Sequence, residues 1–298
     1  MDLSPRERLL GERLECLYRT YGPETASSDP IGLLAPYRAP EDLEVAGWIA
    51  SALAYGRVET IRGNVSRIFG ALGPRPARAL GGIRDFRAFA RERLSDFRHR
   101  FHGPADAAAL LFAIARVREE AGSVRSYFEA RFRPEHADTG AMLSRVAQDL
   151  LRLDYRPALG RRDPPEGSPV RFFFPDPASG SACKRWNLYL RWMVRRDRLD
   201  FGLWPGIPAS RLIIPTDTHI HLVSRRLGLT RRKTADWVAA RQITRRLARF
   251  DPADPVRFDY ALCRVGIFGI CRKSARQSRC GECLAREACL VGRRRIAA

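Results

Sequence analysis

The chain has 298 residues, 45% of them hydrophobic and 29% charged, with a formal net charge of +20 at neutral pH. That length can bury a sizeable core as one large domain or two modest ones. No apolar run is long enough to cross a bilayer, and the opening MDLSPRERLLGERLE alternates charge with leucine as an amphipathic helix, unlike a signal peptide. A cytoplasmic protein with no membrane partner is therefore expected. The excess of 53 Lys and Arg over 33 Asp and Glu calls for a polyanionic partner. Nucleic acid comes first, because arginine-rich surfaces release counterions when they meet phosphates.

The predicted elements are helical almost throughout. In residues 43–71, Val45, Trp48, Ile49, Ala52 and Leu53 share one face, and Val58, Ile61, Val65 and Ile68 continue it after Gly56. Two helices broken near Tyr55–Gly56 account for that pattern better than one. Residues 105–119, 123–132 and 140–153 give three more helices, the first nearly all apolar. Residues 154–181 are rich in proline and glycine and read as a loop that reaches a buried edge at Phe172–Phe174, with the next helix starting at about Ala182. From Pro215, PTDTHIHLVSRRLGL reads as a helix capped by Thr216 or Asp217, packed through Ile220, Val223 and Leu227, and ended by Gly228. Thr230–Lys233 reads as the start of the following helix, with Trp237, Val238 and Ile243 facing the core. The C-terminal GRRRIAA is basic and expected to fray. The fold class is all-α.

Two residue types are distributed in a way that suggests chemistry. Lysine occurs only at Lys184, Lys233 and Lys273 in this arginine-rich chain. Arginine stays protonated, whereas a lysine can become a neutral amine and attack carbon, so these positions are candidates for work that arginine cannot do. The cysteines are Cys16, Cys183, Cys263, Cys271, Cys280, Cys283 and Cys289. An odd total clustered at one end argues for a metal centre in a reducing compartment over a disulfide framework. Cys271, Cys280, Cys283 and Cys289 follow C-x8-C-x2-C-x5-C, and four thiolates hold either a tetrahedral zinc or a 4Fe–4S cluster. A single short C-x2-C pair with two outlying cysteines favours the cluster, with zinc as the alternative.

Together these features resemble the helix-hairpin-helix DNA glycosylase superfamily, in particular its endonuclease III and 8-oxoguanine glycosylase group. That group carries a lysine after a glycine-containing hairpin, then an aspartate in a V-D-T-H-like turn, then a C-terminal C-x6-C-x2-C-x5-C that binds a 4Fe–4S cluster. Here GSACK ends in Lys184, PTDTH contains Asp217, and CRKSARQSRCGECLAREAC supplies the four cysteines in the same order. YGRVETIRGNVSRI resembles the segment that wedges into DNA beside an extruded base. The overall pattern also looks like a bacterial family that is largely uncharacterised.

The resemblance implies a two-lobed helix-hairpin-helix fold ending in a four-cysteine iron–sulfur loop. Residues 36–200 would form a helical-barrel lobe with the hairpin and Lys184. Residues 1–35 and 201–298 would form the other lobe, with Asp217 and the cluster, and DNA would cross the cleft between the lobes. It implies a monomeric base-excision-repair DNA glycosylase with associated lyase activity, acting at the bacterial nucleoid on double-stranded DNA that contains a damaged, oxidised base. The base is flipped into a pocket because its reactive bond is inaccessible within the stack. Lys184 would be the Schiff-base nucleophile and Asp217 its electrostatic and proton-transfer partner. DNA contacts would come from Tyr55, Gly56, Arg57, Gly180, Ser181, Arg185 and His219, with Lys273 as a further phosphate contact. The rival expectation is a non-catalytic iron–sulfur protein that binds DNA or RNA on the same scaffold.

The sequence departs from the pattern at several points. RRDRLDFGLWPGIPASR lengthens the segment between Lys184 and Asp217 and reads as an insertion. Ala182 stands where a second hairpin glycine is common, and the glutamine that fills the gap in endonuclease III is absent, leaving Tyr55 or Arg57 to serve. TRRKTADW looks superficially like that enzyme's hairpin, but Lys233 follows the D-T-H turn, whereas the superfamily's lysine precedes it. His219 and His221 read as structural members of the turn.

Overall fold

The structure is a computed structural model that describes residues 3–293, so most of the basic GRRRIAA end lies outside the described residues. Among the described residues there are fourteen α-helices and no strand, only three isolated bridges. None of the helices is long and apolar enough to cross a membrane. The helices are α1 (Pro5–Thr20), α2 (Pro40–Ala52), α3 (Val58–Leu72), α4 (Pro76–Gly82), α5 (Phe86–Arg93), α6 (Pro104–Ala121), α7 (Val124–Glu129), α8 (Gly140–Leu151), α9 (Arg156–Leu159), α10 (Pro169–Phe173), α11 (Lys184–Val194), α12 (Thr218–Leu227), α13 (Trp237–Leu247) and α14 (Asp259–Ile267).

Their starts are written in the sequence. Pro5, Pro40, Pro76 and Pro104 each stand at a first helical position, where a missing N–H costs nothing and the ring presets φ. Ser4 and Glu7 form a reciprocal capping box, while Asp85, Ser123, Asp217 and Asp236 accept hydrogen bonds from otherwise unpaired first-turn amides. Between α2 and α3 the chain turns at Gly56, whose φ of 101° favours a residue without Cβ. That is the break expected at Tyr55–Gly56.

The chain folds as two compact units. The first comprises the chain up to Thr25, Gly180–Arg191, and everything from Pro208 onward; the second comprises Ala26–Ser179 and Trp192–Ile207. This differs from a division at residues 36 and 200. The hairpin and Lys184 belong with Asp217 in the first unit, and the division runs through α11 after Arg191. Long-range packing draws these boundaries, one of which falls within the proline- and glycine-rich stretch over 154–181.

In the second unit α2 and α6 form the core. Every α2 residue from Asp42 to Ala52 is buried, as is the Ala107–Ile114 stretch of α6, which packs against α4, α5, α7, α9 and α10. Helices α4, α5, α9 and α10 lie where the sequence shows short amphipathic or proline-rich stretches, so the expected loop over 154–181 contains two helical turns. Phe173 and Phe174 are buried, but Phe172 is 42% exposed and does not join that edge.

The segment that reads as an insertion anchors this core. Trp204 is fully buried, lies 5.1 Å from Phe128 between ring centroids, and donates Nε1–H to Glu44 Oε1 at 3.1 Å. Glu44 Oε2 accepts from the first-turn amides of α7, Val124 at 3.0 Å and Arg125 at 3.3 Å. Burial pushes the Glu44 carboxyl up against the opposing pull of these donors. Truncating Trp204 to alanine is expected to cost about 3–5 kcal/mol, since it opens a large cavity and leaves Glu44 short of a donor. Urea denaturation checks this, and Trp204→Phe, which fills the space but lacks the N–H, should lose roughly 1–3 kcal/mol.

Candidate functional site

In the first unit the GSACK segment forms a tight turn immediately before α11. Gly180, at φ 85°, accepts the Trp237 amide through its carbonyl at 3.0 Å, and Ser181 bridges to Asp236 at the start of α13. Ser181 Oγ accepts the Cys183 amide at 3.2 Å. The second left-handed residue of the turn is Cys183, at φ 47°, not Ala182. The departure at Ala182 thus leaves the turn's geometry intact, and the strain of a Cβ at positive φ falls on a buried cysteine.

Lys184 opens α11 and Asp217 caps α12, so two helix N-termini bring them together. The ammonium Nζ lies 3.9 Å from Asp217 Oδ2, and both side chains are partly exposed, at 29% and 23%. The two oxygens of Asp217 divide the work. Oδ1 accepts the His219 and Ile220 amides at 2.9 Å each, which fixes the carboxylate, while Oδ2 faces Lys184 and lies 3.9 Å from Cys263 Sγ. Reading Asp217 as a cap is therefore correct and incomplete.

A buried charge pair underlies this site. Arg191, on α11, holds Asp259, the first residue of α14, at 2.5 Å, and each is almost wholly buried. Burial pushes the Asp259 carboxyl up to about 6 while Arg191 pulls it down, and burial likewise raises the Cys263 thiol well above its ordinary value. Cys263 accordingly stands beside Asp217 as a protonated thiol.

The remaining expected residues are placed unevenly. His219 packs its imidazole over Gly266 of α14, where an added Cβ would sit 2.6 Å from its ring. His221 pairs Nε2 with the Arg232 carbonyl at 3.0 Å, so both histidines serve the turn structurally. Arg185 is only 7% exposed, which takes it away from the surface where a phosphate contact is made. Thr230–Lys233 precedes α13 instead of starting it, and Lys233 is exposed there. Trp237 and Ile243 are buried as expected, but Val238 is 46% exposed.

Tyr55, Gly56 and Arg57 belong to the second unit. Gly56 and Arg57 are exposed, but Tyr55 is half-buried, and its hydroxyl is tied to His102 Nδ1. His99 and His102 face each other across a tight turn closed by two 3.0 Å backbone hydrogen bonds. Both rings are buried: His99 Nε2 donates to the Tyr55 carbonyl at 3.1 Å, and His102 Nε2 donates to the Pro169 carbonyl at 2.9 Å. At the tip Arg100 has φ 56°, and Phe101 is 52% exposed. Phe172 stands beside it, with ring centroids 5.1 Å apart at 80°. These two rings, with exposed Arg98, Arg100 and Arg171 in the same unit as Arg57, were missed in the sequence. The alternation of rings and arginines in FRHRFH is the signal that marks them.

Four-thiolate chemistry fits the C-terminal loop in part. Arg226 ties the loop down: it donates to Cys271 Sγ at 3.0 Å, to Ser278 Oγ at 2.9 Å, and to the Arg272 and Lys273 carbonyls. The Gly292 amide donates to Cys289 Sγ at 3.3 Å. Burial pushes the Cys283 thiol up to about 11, with repulsion from Cys289, Cys271 and Cys280 adding to it. Among the described residues, however, no three His, Cys, Asp or Glu side chains converge as a metal site. The donor set and its N–H···S contacts suit a cluster, and the thiols would have to draw together around it.

The sequence profile of the family described as "Protein of unknown function (DUF2400)" matches residues 29–268. That span covers most of the chain, including Lys184 and Asp217 but not the last four cysteines, and the chain belongs to this family. No curated protein and no solved structure matches it.

Proposed function

We propose that this member of the DUF2400 family is a DNA glycosylase with associated lyase activity, acting through Lys184 and Asp217. The observation that carries the reading is the 3.9 Å approach of the Lys184 ammonium to Asp217 Oδ2. This is one of only three lysines in the chain, set against a carboxylate whose other oxygen is held by two amides. Oδ2 is the acceptor at hand for the ammonium proton. The neutral amine then attacks C1′ of an extruded nucleotide, the glycosidic bond breaks, and the departing base takes the bonding pair and the proton held by Asp217. The carboxylate charge that returns as this proton leaves stabilises the oxocarbenium character of that transition state. Opening of the sugar ring gives an imine on Lys184, from which loss of the C2′ proton expels the 3′ phosphate and nicks the strand. Borohydride reduction of that imine on damaged duplex tests the reading.

The +20 charge supplies the attraction to DNA, and affinity should fall steeply with added salt as phosphates are neutralised by arginine. The rings of Phe101 and Phe172 offer faces to an unstacked base, whereas Tyr55 is held by His102. Replacing either phenylalanine with alanine is expected to weaken binding of a lesion-containing duplex by about 1–3 kcal/mol, with a smaller effect on intact duplex. Tyr55→Phe should leave that affinity nearly unchanged, and fluorescence anisotropy with paired duplexes measures both.

Cys271, Cys280, Cys283 and Cys289 would hold a 4Fe–4S cluster, which supplies a structural clamp on the loop that Arg226 ties down. Purified protein is expected to absorb visible light through thiolate-to-iron charge transfer and to lose that absorbance on Cys283→Ser. Cys16, Cys183 and Cys263 should be dispensable for it. A colourless folded protein carrying one zinc would instead establish the zinc alternative.

A further inference from the structure

A second basic feature lies wholly within the first unit, in a cavity of about 750 Å³ walled by α1, the end of α12 and α13. Five arginines line it, namely Arg6, Arg231, Arg245, Arg246 and Arg249, against a single carboxylate, Glu7. Glu7 is already committed: it accepts the Ser4 amide and hydroxyl and pairs with Arg249, with Arg246 at 3.7 Å. Its carboxyl is held below the usual range, first by the Ser4 hydrogen bonds and then by those arginines. Arg6 is locked by its Nη2 bonds to the Leu227 and Ala288 carbonyls at 2.7 and 3.2 Å, while its buried Nε has no hydrogen-bond partner among the described residues. Gly228 permits that packing, since a Cβ there would stand 3.0 Å from Arg6 Nη2.

What remains is unspent positive charge on a shaped wall. Arg231 and Arg245 are exposed and form no ion pair among the described residues. Thr230 Oγ1 donates to Gln242 Oε1 at 2.6 Å, which orients the exposed Gln242 amide so that its Nε2 is available as a donor. Leu10, Leu229 and Phe250 add apolar lining. Converging guanidinium groups repel one another, and a concave wall concentrates their field, so the site is complementary to clustered anionic charge. Planar forks match phosphate oxygens in pairs, and the volume lies within the roughly 300–1,000 Å³ that small ligands occupy.

We propose that this cavity binds a ligand carrying clustered phosphates with an apolar ring against its apolar lining, of the nucleoside polyphosphate class, as a site distinct from Lys184 and Asp217. The same chemistry could come from a free nucleotide or from the phosphorylated end of a strand. Titration calorimetry of the full chain distinguishes them with ATP, inorganic tripolyphosphate, and a short oligonucleotide with and without a 5′ phosphate. ATP is expected to bind more tightly than tripolyphosphate, because the ring adds contact with Leu229 and Phe250. The Arg231→Ala/Arg245→Ala double variant, altered only at exposed positions, should weaken ATP by about tenfold or more, as expected for lost charge-assisted hydrogen bonds. Its borohydride trapping on damaged duplex should stay within about twofold, as for independent sites. Binding confined to the 5′-phosphorylated oligonucleotide, and lost in the double variant, would identify a strand end as the source.

The proposal is overturned if none of the phosphate ligands binds, or if the double variant binds them as wild type does. It is also overturned if the two oligonucleotides bind equally and weaken together, or if trapping falls along with ATP binding. Either of the last two results would make the cavity part of a general backbone track.

Discussion

Lys184→Arg is expected to reduce borohydride-trapped protein–DNA complex to background. Arginine keeps the positive charge and has the length to pair with Asp217, so binding of damaged duplex should change little. The lost property is the primary amine, since a guanidinium stays protonated and forms no reducible imine. Lys233→Arg provides the control: Lys233 is exposed in the loop before α13, and a charge there tolerates the exchange. Trapping that survives Lys184→Arg but disappears in Lys233→Arg would transfer the chemistry to that loop, despite the 3.9 Å approach of Lys184 to Asp217.

The second large effect belongs to Asp217→Asn. Asparagine caps a helix as well as aspartate does, so the amides of His219 and Ile220 keep their acceptor and stability should change by no more than about 0.5 kcal/mol. The second oxygen becomes an amide N–H₂ that neither takes the lysine proton nor stabilises a cationic sugar. Base release should fall by about 10²–10³-fold, the cost of removing one transition-state electrostatic partner. Single-turnover cleavage of a lesion-bearing duplex measures the rate, and a thermal melt separates it from unfolding. Full base release by the Asp217→Asn variant would reduce Asp217 to its capping role alone.

The parts of this fold that were legible in the sequence are those set by local chemistry. The break at Tyr55–Gly56 follows from glycine's tolerance of positive φ, α6 from its unbroken apolar run, and α12 from the Asp217 cap and the Gly228 stop. Contacts made across long stretches of chain left no comparable mark. Trp204 sits in what reads as an insertion, yet it closes on Glu44 in α2. Arg185 reads as a surface cation, but the rotation of α11 turns it inward. Tyr55 looks free until His102 and Pro169 come together beside it, and the same turn brings out Phe101. Val238 has the residue type of a core position and stands on the outer side of α13. The lysine–aspartate pair was legible as a motif order, while its distance and the division of Asp217 between two tasks required the fold.

In the proposed reaction the amine of Lys184 forms the covalent intermediate. Borohydride-trapped complex, digested to peptides and sequenced by mass spectrometry, tests it most directly. The reduced sugar remnant is expected on Lys184, in a peptide that begins within or before the GSACK turn. A remnant on Lys233, Lys273 or the N-terminal amine, or strand cleavage and base release with no protein adduct at all, would contradict it.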